Sequence, residues 1–342
     1  MEGEAEEMIL VTGGAGYIGS HTVKALRARG EEVLVADDLS EGHEAALLGA
    51  PLARGDLKDM DYVRTLFESG KVEGVIHFAA SCYVGVSMTR PGFYYRQNVQ
   101  AMLNLLEGMR DAGVKSIVFS SSCATYGVPE KIPITEDCPQ NPINVYGTTK
   151  LVGEWMLRDF GRAHGIRSVS LRYFNAAGAD PEGELGEDHD PETHLIPLVL
   201  QVALGKREKI SIFGDDYPTP DGTCIRDYIH IVDLAQAHLL ALDAMRDGRD
   251  VAPAYNLGNG EGYSVAQVIE AARKVTGRKI PAEVAPRRPG DPPRLVGSSE
   301  KIEKELGWKA RFPRLEEILE TAWRWHEAHP DGYGDRPARK EA

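Results

Sequence analysis

Apolar positions along the chain alternate between two rhythms. Unbroken runs at Met8–Thr12, Glu32–Ala36, Val75–Ala80, Ser116–Phe119 and Ser168–Leu171 predict strands buried on both faces. Between them lie helical patterns: one from the glycine-rich turn after Thr12 to Gly30, one from Asn98 to about Ala112, and one from Tyr146 to Gly161. This alternation predicts an α/β fold built on a Rossmann-type doubly wound parallel sheet, with ligands at the carboxyl ends of its strands. Past Arg172 the pattern changes. Asp180–Glu192, rich in acid, Gly and Pro, predicts a surface connection, and Leu195–Leu204 a short apolar helix. The expected division is a nucleotide-binding domain over 1–174 and a smaller mixed α/β substrate lobe over 175–342, with the chain returning to the first around 223–260. The tail after Trp325, which contains Pro330 and Pro337, is expected to fray.

The 342 residues suffice for a sizeable core, and 42% hydrophobic with 27% charged residues is ordinary for a soluble enzyme. A formal net charge of -13, part of it in the leader Met1–Glu7, argues against nucleic-acid or membrane-surface partners. None of the four cysteines, Cys82, Cys123, Cys138 and Cys224, forms a Cys-x-x-Cys pair, and no secretory leader is apparent, so a cytoplasmic location is expected. The histidines show no metal-ligand spacing. No metal site is expected, and His230 and His238 are read as structural.

Chemistry enters at the first turn. Gly13-Gly14-Ala15-Gly16-Tyr17-Ile18-Gly19 joins a strand to a helix, where Gly13, Gly16 and Gly19 permit a tight turn and let the backbone approach a pyrophosphate at the positive helix end. Asp37 ends the second strand, 18 residues past Gly19. A carboxylate there accepts both ribose hydroxyls and repels a 2'-phosphate, which favours NAD over NADP. Asp56-Leu57 is placed to meet the adenine edge, and the small residues Ala79 and Ala80 after Phe78 leave room for a cofactor.

Tyr146 and Lys150 are four apart, which on a helix puts their β-carbons about 6 Å apart on one face. A free phenol is only about 0.1% ionised at pH 7, and an ammonium about 5 Å away favours its ionised form by about 3 kcal/mol. Ser120-Ser121-Ser122 follows the apolar run Ile117-Val118-Phe119, so hydroxyls are delivered at the end of a strand. Arg226, Arg287, Arg288 and Arg294 suit either a diphosphate clamp or a solvated surface cluster.

Together with Arg172-Tyr173-Phe174-Asn175, Ile212-Phe213-Gly214, Arg226-Asp227-Tyr228-Ile229-His230, Tyr255-Asn256-Leu257-Gly258 and Pro286-Arg287-Arg288, these motifs resemble the UDP-glucose 4-epimerase family of the extended short-chain dehydrogenase/reductases, from about Met8 to Tyr333. The resemblance implies a reversible 4-epimerisation of UDP-glucose and UDP-galactose through a transient 4-keto sugar and tightly held NAD. Tyr146 would be the base, Lys150 would hold the nicotinamide ribose, and Ser122 would be the catalytic hydroxyl, with Ser121 open as the alternative. Cofactor positions would be Gly13, Gly16, Tyr17, Ile18, Gly19, Asp37, Asp38, Leu39, Ser40, Asp56, Leu57, Phe78, Ala79, Ala80, Asn98, Ser120, Tyr146, Lys150 and Phe174. Substrate positions would be Ser122, Tyr146, Asn175, His194, Leu195, Phe213, Arg226, Arg288, Asp291 and Leu295, and a homodimer would form through Asn98–Ala112 and Tyr146–Gly161.

Three departures stand out. Cys82 replaces a lysine near the cofactor, the loop before Tyr146 is one residue shorter than in some relatives, and Leu295 stands at a gate where a bulky tyrosine restricts the sugar pocket. The last extends the expected substrates to UDP-N-acetylhexosamines. No carboxylate lies between Ser120 and Val128, so the added acid of sugar dehydratases is missing. A UDP-glucuronate 4-epimerase and a non-catalytic NAD-binding regulator are the alternatives; the second has no need of a Ser/Tyr/Lys set.

Overall fold

A computed structural model describes residues 7–288 and 291–335; the leader before Glu7, Pro289, Gly290 and Pro337 lie outside the described residues. Strands β1 (Glu7–Thr12), β2 (Glu32–Asp37), β3 (Leu52–Arg54), β4 (Lys71–His77), β5 (Ser116–Ser122) and β6 (Arg167–Tyr173) alternate with helices α1 (Tyr17–Ala28), α2 (Met60–Glu68), α3 (Val84–Thr89), α4 (Pro91–Tyr94), α5 (Ala101–Ala112) and α6 (Val145–His164). Next come β7 (Asn175–Ala177), α7 (Leu195–Ala203), β8 (Ile210–Phe213), β9 (Ile225–Arg226), β10 (Tyr228–His230), α8 (Ile231–Arg246) and β11 (Ala254–Leu257). The described chain closes with β12 (Tyr263–Ser264), α9 (Val265–Thr276), β13 (Ala282–Ala285), β14 (Arg294–Leu295), α10 (Glu300–Leu306) and α11 (Leu315–Ala328).

Seven strands form one parallel Rossmann-type sheet in the order β11-β6-β5-β4-β1-β2-β3. Its direction of growth reverses between β1 and β4, which opens a crevice at their carboxyl ends. Both faces are covered, and the period-two alternation of side chains explains the unbroken apolar runs. In β1, Ile9 and Val11 join the core under α1, α8 and α10, whereas Leu10 joins the core under α2, α5 and α6. Away from the sheet, α7, α9 and α11 share a third core with Ile210 and Tyr228, flanked by the small pairings β8·β13, β7·β10 and β12·β9·β14.

Local chemistry sets the ends of these helices. Asn144 caps α6 by accepting from the Gly147 N–H at 2.7 Å, and Ser264 with Gln267 forms a reciprocal capping box on α9. Gly113, Gly165 and Gly277 close α5, α6 and α9 in the left-handed conformation.

Four expectations need correcting. β4 stops at His77, so Phe78-Ala79-Ala80 is loop, because the Phe78 and Ala79 N–H groups both turn to the Thr12 carbonyl. β5 runs on through Ser122, so the three serines lie within the strand, paired to Leu171, Arg172 and Tyr173 of β6. Asp180–Glu192 is a surface connection only in part, with Glu182, Glu184, Asp190 and Pro191 exposed. Asp180 and Glu187 are buried, and Lys24 of α1 sets its ammonium 2.7–2.8 Å from Asp180, Glu182 and Glu184. Nor does the tail fray before Asp335: Trp325 is buried, the Tyr333 N–H donates to Asp188 at 3.0 Å, and Asp335 meets His43 at 2.5 Å.

Candidate active site

The turn between β1 and α1 is built by close approach. Gly13 sits at φ +71°, and a β-carbon on it would lie 2.5 Å from the Ala79 nitrogen; one on Gly19 would lie 2.1 Å from the Gly13 carbonyl oxygen. Gly16 caps α1 without a side chain, so the first-turn N–H groups of Tyr17 and Ile18 meet no side-chain cap. That combination is an anion cradle on a positive helix end, which suits a pyrophosphate. At the end of β2, Asp37 is oriented by two backbone donors, Ala15 N–H at 3.0 Å and Leu39 N–H at 2.9 Å. Each of its oxygens retains a lone pair for a hydroxyl ligand. Burial raises its pKa, and those two hydrogen bonds oppose the rise.

Asp38, Leu39 and Ser40 make the turn after β2, in which Asp38 accepts from the Ser40 N–H at 2.9 Å and Leu39 takes a φ of 59°. Asp56 holds Lys58 at 2.9 Å, and Leu57 is buried in the core under α2 and α5. Ala80 is half-buried, as is Phe78, whose ring packs on His238 at 4.6 Å. Two side chains expected at the cofactor also hold the protein's own backbone. The Tyr17 hydroxyl donates to the Gly178 carbonyl at 2.6 Å. The Asn98 amide spends itself on both backbone groups of Ser81, at 2.8 and 3.0 Å, and on Thr149 at 2.9 Å. It fixes the loop after β4.

Helix α6 presses its glycines against β5 and the turn after it: a β-carbon on Gly147 would lie 2.4 Å from the Ala124 carbonyl oxygen, and one on Gly153 would lie 2.9 Å from the Phe119 ring. This approach brings Tyr146, Lys150 and Ser122 together. Lys150 is buried, donates to the Ser120 carbonyl at 2.7 Å and lies 5.8 Å from the centre of the Tyr146 ring. The neighbouring serines have other partners: Ser120 bonds to the Tyr173 hydroxyl, and Ser121 donates to Glu154 at 2.6 Å. The Ser122 hydroxyl accepts from the Ala124 N–H at 3.1 Å and lies on the Tyr146 side of the pocket, where it favours the ionised phenol.

The electrostatics differ from the two-group picture. Burial pushes the Tyr146 phenol well above its ordinary value, against the pull of Ser122. Burial also brings the Lys150 ammonium down to about 8. Desolvation is the largest cause at both groups, so the pocket disfavours both charges, and a further positive charge entering it would favour the phenolate alone.

Past β6, Asn175 donates to the Asp227 carbonyl at 2.8 Å, and the Phe174 ring lies against Gly297. Arg226 reaches Asp291 at 3.0 Å and the Pro292 carbonyl at 2.9 Å, while Arg288 lies 3.9 Å above the Phe213 ring. Leu295 is half-buried in β14 and accepts from the Asp227 N–H through its carbonyl at 3.0 Å. The four-arginine cluster is divided: Arg287 turns to Asp216 and Tyr217, and Arg294 is exposed. Leu195 opens α7, and His194 before it turns to Glu187 at 2.8 Å and Glu192 at 3.0 Å. Burial opposes a charge on His194, but those carboxylates raise its pKa well above the usual range.

Asp227, known from the sequence only as a motif letter, proves central. It is buried, accepts from the Asn259 and Gly297 N–H groups at 2.7 and 3.1 Å, and burial raises its pKa to about 6. The Glu154–Arg172 ion pair at 2.6 Å was also missed. Its one sequence signal is that Glu154 continues the four-residue spacing of Tyr146 and Lys150.

Residues 9–258 match the NAD dependent epimerase/dehydratase family. The chain is 54% identical over 334 residues to a UDP-glucose 4-epimerase of Halalkalibacterium halodurans, covering 97% of this chain and 99% of that one. It superposes on a crystal structure of a UDP-glucose 4-epimerase with a TM-score of 0.94 at 53% identity, covering 96% of this chain and 100% of the other. A Bifidobacterium longum UDP-glucose 4-epimerase in complex with NAD+ and UDP matches with a TM-score of 0.90 at 40% identity, covering 95% of this chain and 99% of that one.

Proposed function

The chain belongs to the NAD dependent epimerase/dehydratase family, and from that premise we propose how it works as an NAD-dependent isomerase that interconverts UDP-glucose and UDP-galactose at C4. The observation that carries the mechanism is the convergence of Tyr146, Ser122 and Lys150 beyond the crevice that the glycine turn and Asp37 open. NAD, when bound, supplies a reversible hydride acceptor and a positive ring, and it ends each cycle in its starting redox state. The Tyr17 and Ile18 N–H groups would hold its pyrophosphate and Asp37 its adenosine ribose.

Tyr146 removes the proton of the sugar 4-hydroxyl, and Ser122 shares the hydrogen bond to the same oxygen. Lys150 binds the nicotinamide ribose and, with the positive ring, offsets the burial that holds the phenol protonated in the free chain. Arg226 and Arg288 engage the diphosphate, and the Phe213 face receives the uracil. That anchor would let the sugar present either face at C4, with Tyr146 returning the proton to the same oxygen. Arg172 is buried in its pair with Glu154, so a uronate carboxylate finds no partner there, which favours a neutral hexose.

Incubation with UDP-galactose and no added cofactor, followed by NMR of the sugar, tests the assignment. Growth of UDP-glucose to an equilibrium mixture is expected, and an unchanged spectrum contradicts it. The modest Leu295 at the sugar end also admits an N-acetyl group, so UDP-GalNAc is turned over as a secondary substrate; no detectable turnover refutes that extension. Exposed Leu103 on α5 and Trp155 on α6 support a homodimer through these helices, which light scattering checks directly. All four cysteines are free, consistent with the cytoplasm, and among the described residues no helix is long and apolar enough to cross a membrane.

A further inference from the structure

The loop before α7 gathers four side chains of metal-binding type within eight residues: Glu187, His189, Glu192 and His194. One ligand atom from each lies within 4.8 Å of all the others. His194 Nδ1 is 2.8 Å from a Glu187 oxygen and 3.0 Å from a Glu192 oxygen; His189 Nδ1 is 3.1 and 3.8 Å from the same two carboxylates. Each ring nitrogen makes one hydrogen bond, His189 to Glu187 at 3.1 Å and His194 to Glu192 at 3.0 Å, and each also lies near the other carboxylate. Four donor atoms converging on one point is the arrangement of a coordination sphere.

The dimensions agree. Zinc bonds of about 2.0–2.2 Å to imidazole nitrogen and carboxylate oxygen, arranged tetrahedrally, set neighbouring ligand atoms about 3.3–3.5 Å apart. The observed separations of 2.8–3.8 Å bracket that edge. An outer shell is in place, since the Thr193 and His194 N–H groups both donate to Glu192 Oε1 at 2.7 Å. A cavity of about 220 Å³ lined by Glu187, His189, Glu192, His326 and His329 adjoins the cluster and provides a way in. The contrast with the nearby Asp180, Glu182 and Glu184 is informative. That acidic group already holds the Lys24 ammonium at 2.7–2.8 Å and has a cation of its own.

We propose that Glu187, His189, Glu192 and His194 bind one zinc ion, which staples the segment between the two lobes. Two imidazoles select zinc over magnesium or calcium, which prefer all-oxygen shells. The site is structural, with four protein ligands and no open position required. The same segment opens α7, and its Asp188 holds both His43 and Tyr333, so the ion would secure the α7 entry and the docked tail together.

The test uses the full chain, stripped with a chelator, reloaded with zinc and desalted. Mass spectrometry of the metal should find about one zinc per chain, and zinc should raise the thermal midpoint where magnesium does not. In a chelator-competition titration, Glu192→Gln and the double variant His189→Asn/Glu192→Gln should each bind at least about tenfold more weakly. Less than a tenth of an equivalent on the wild-type chain with no thermal shift overturns the proposal, as does unchanged affinity in a natively folded Glu192→Gln. The wild-type measurements decide the matter even if the double variant does not fold.

Discussion

Successive turns of α6 put two kinds of buried polar group side by side. Glu154 is closed within the protein. It accepts from Ser121 at 2.6 Å, from Gln140 at 3.0 Å and from both forks of Arg172 at 2.6–2.9 Å. Arg172 in turn donates to Tyr126, and Tyr126 to Asn256, so the chain of partners is complete. One turn earlier Lys150, and another turn earlier Tyr146, have no such compensation. Burial lowers the ammonium to about 8 and raises the phenol. The same helix and sheet thus give a fully paired anchor in one place and two unwilling charges in the other. The first holds β5, β6 and α6 in register. The second stays incomplete until ligands supply what the protein withholds, and that is where the chemistry belongs.

Mutations should separate the two. Tyr146→Phe should lower kcat by about 10³–10⁴-fold, while bound NAD and the thermal midpoint stay near wild type. Cofactor content measured after denaturation checks the binding half of this expectation. Glu154→Ala leaves Arg172 buried and unpaired, and should destabilise the protein by about 3–5 kcal/mol in denaturant unfolding. The activity remaining per folded molecule should be far greater than that of Tyr146→Phe. The opposite sign is expected at Lys150. With its folded pKa near 8, below the ordinary 10.5, the buried ammonium is a liability, complete below pH 8 and vanishing as pH rises to 10.5. Lys150→Met should therefore stabilise the cofactor-free chain at pH 7 by up to about 3 kcal/mol while abolishing turnover. That advantage should shrink between pH 8 and 10.5; a destabilised variant at pH 7 would show that the lysine is an anchor like Glu154.

The nucleotide half was legible in the sequence because its signals are local. A strand, a glycine turn and an acid at fixed spacing are written consecutively, and Gly13, Gly19 and Asp37 stand where that order demands. Tyr146 and Lys150 were legible for the same reason, one helical turn apart. What escaped depends on distant partners. Asp180–Glu192 looks like surface in isolation, yet Asp180, Leu185, Gly186 and Glu187 are buried because Lys24, Trp325 and Tyr333 arrive from both ends of the chain. The partners of the Asn98 and Tyr17 side chains, Ser81 and Gly178, are likewise set by loops remote in sequence. Pairwise attraction predicted a lowered phenol pKa, and only the three-dimensional enclosure shows that desolvation wins. The His/Glu cluster was overlooked because its spacing fits no familiar metal pattern.

The account rests on one hydrogen leaving and returning to a single carbon without meeting solvent, while Tyr146 shuttles only the hydroxyl proton. Running the reaction in deuterium oxide to equilibrium and reading the sugar by NMR tests this directly. The account predicts UDP-glucose formed from UDP-galactose with protium fully retained at C4, whereas deuterium at C4 would contradict it.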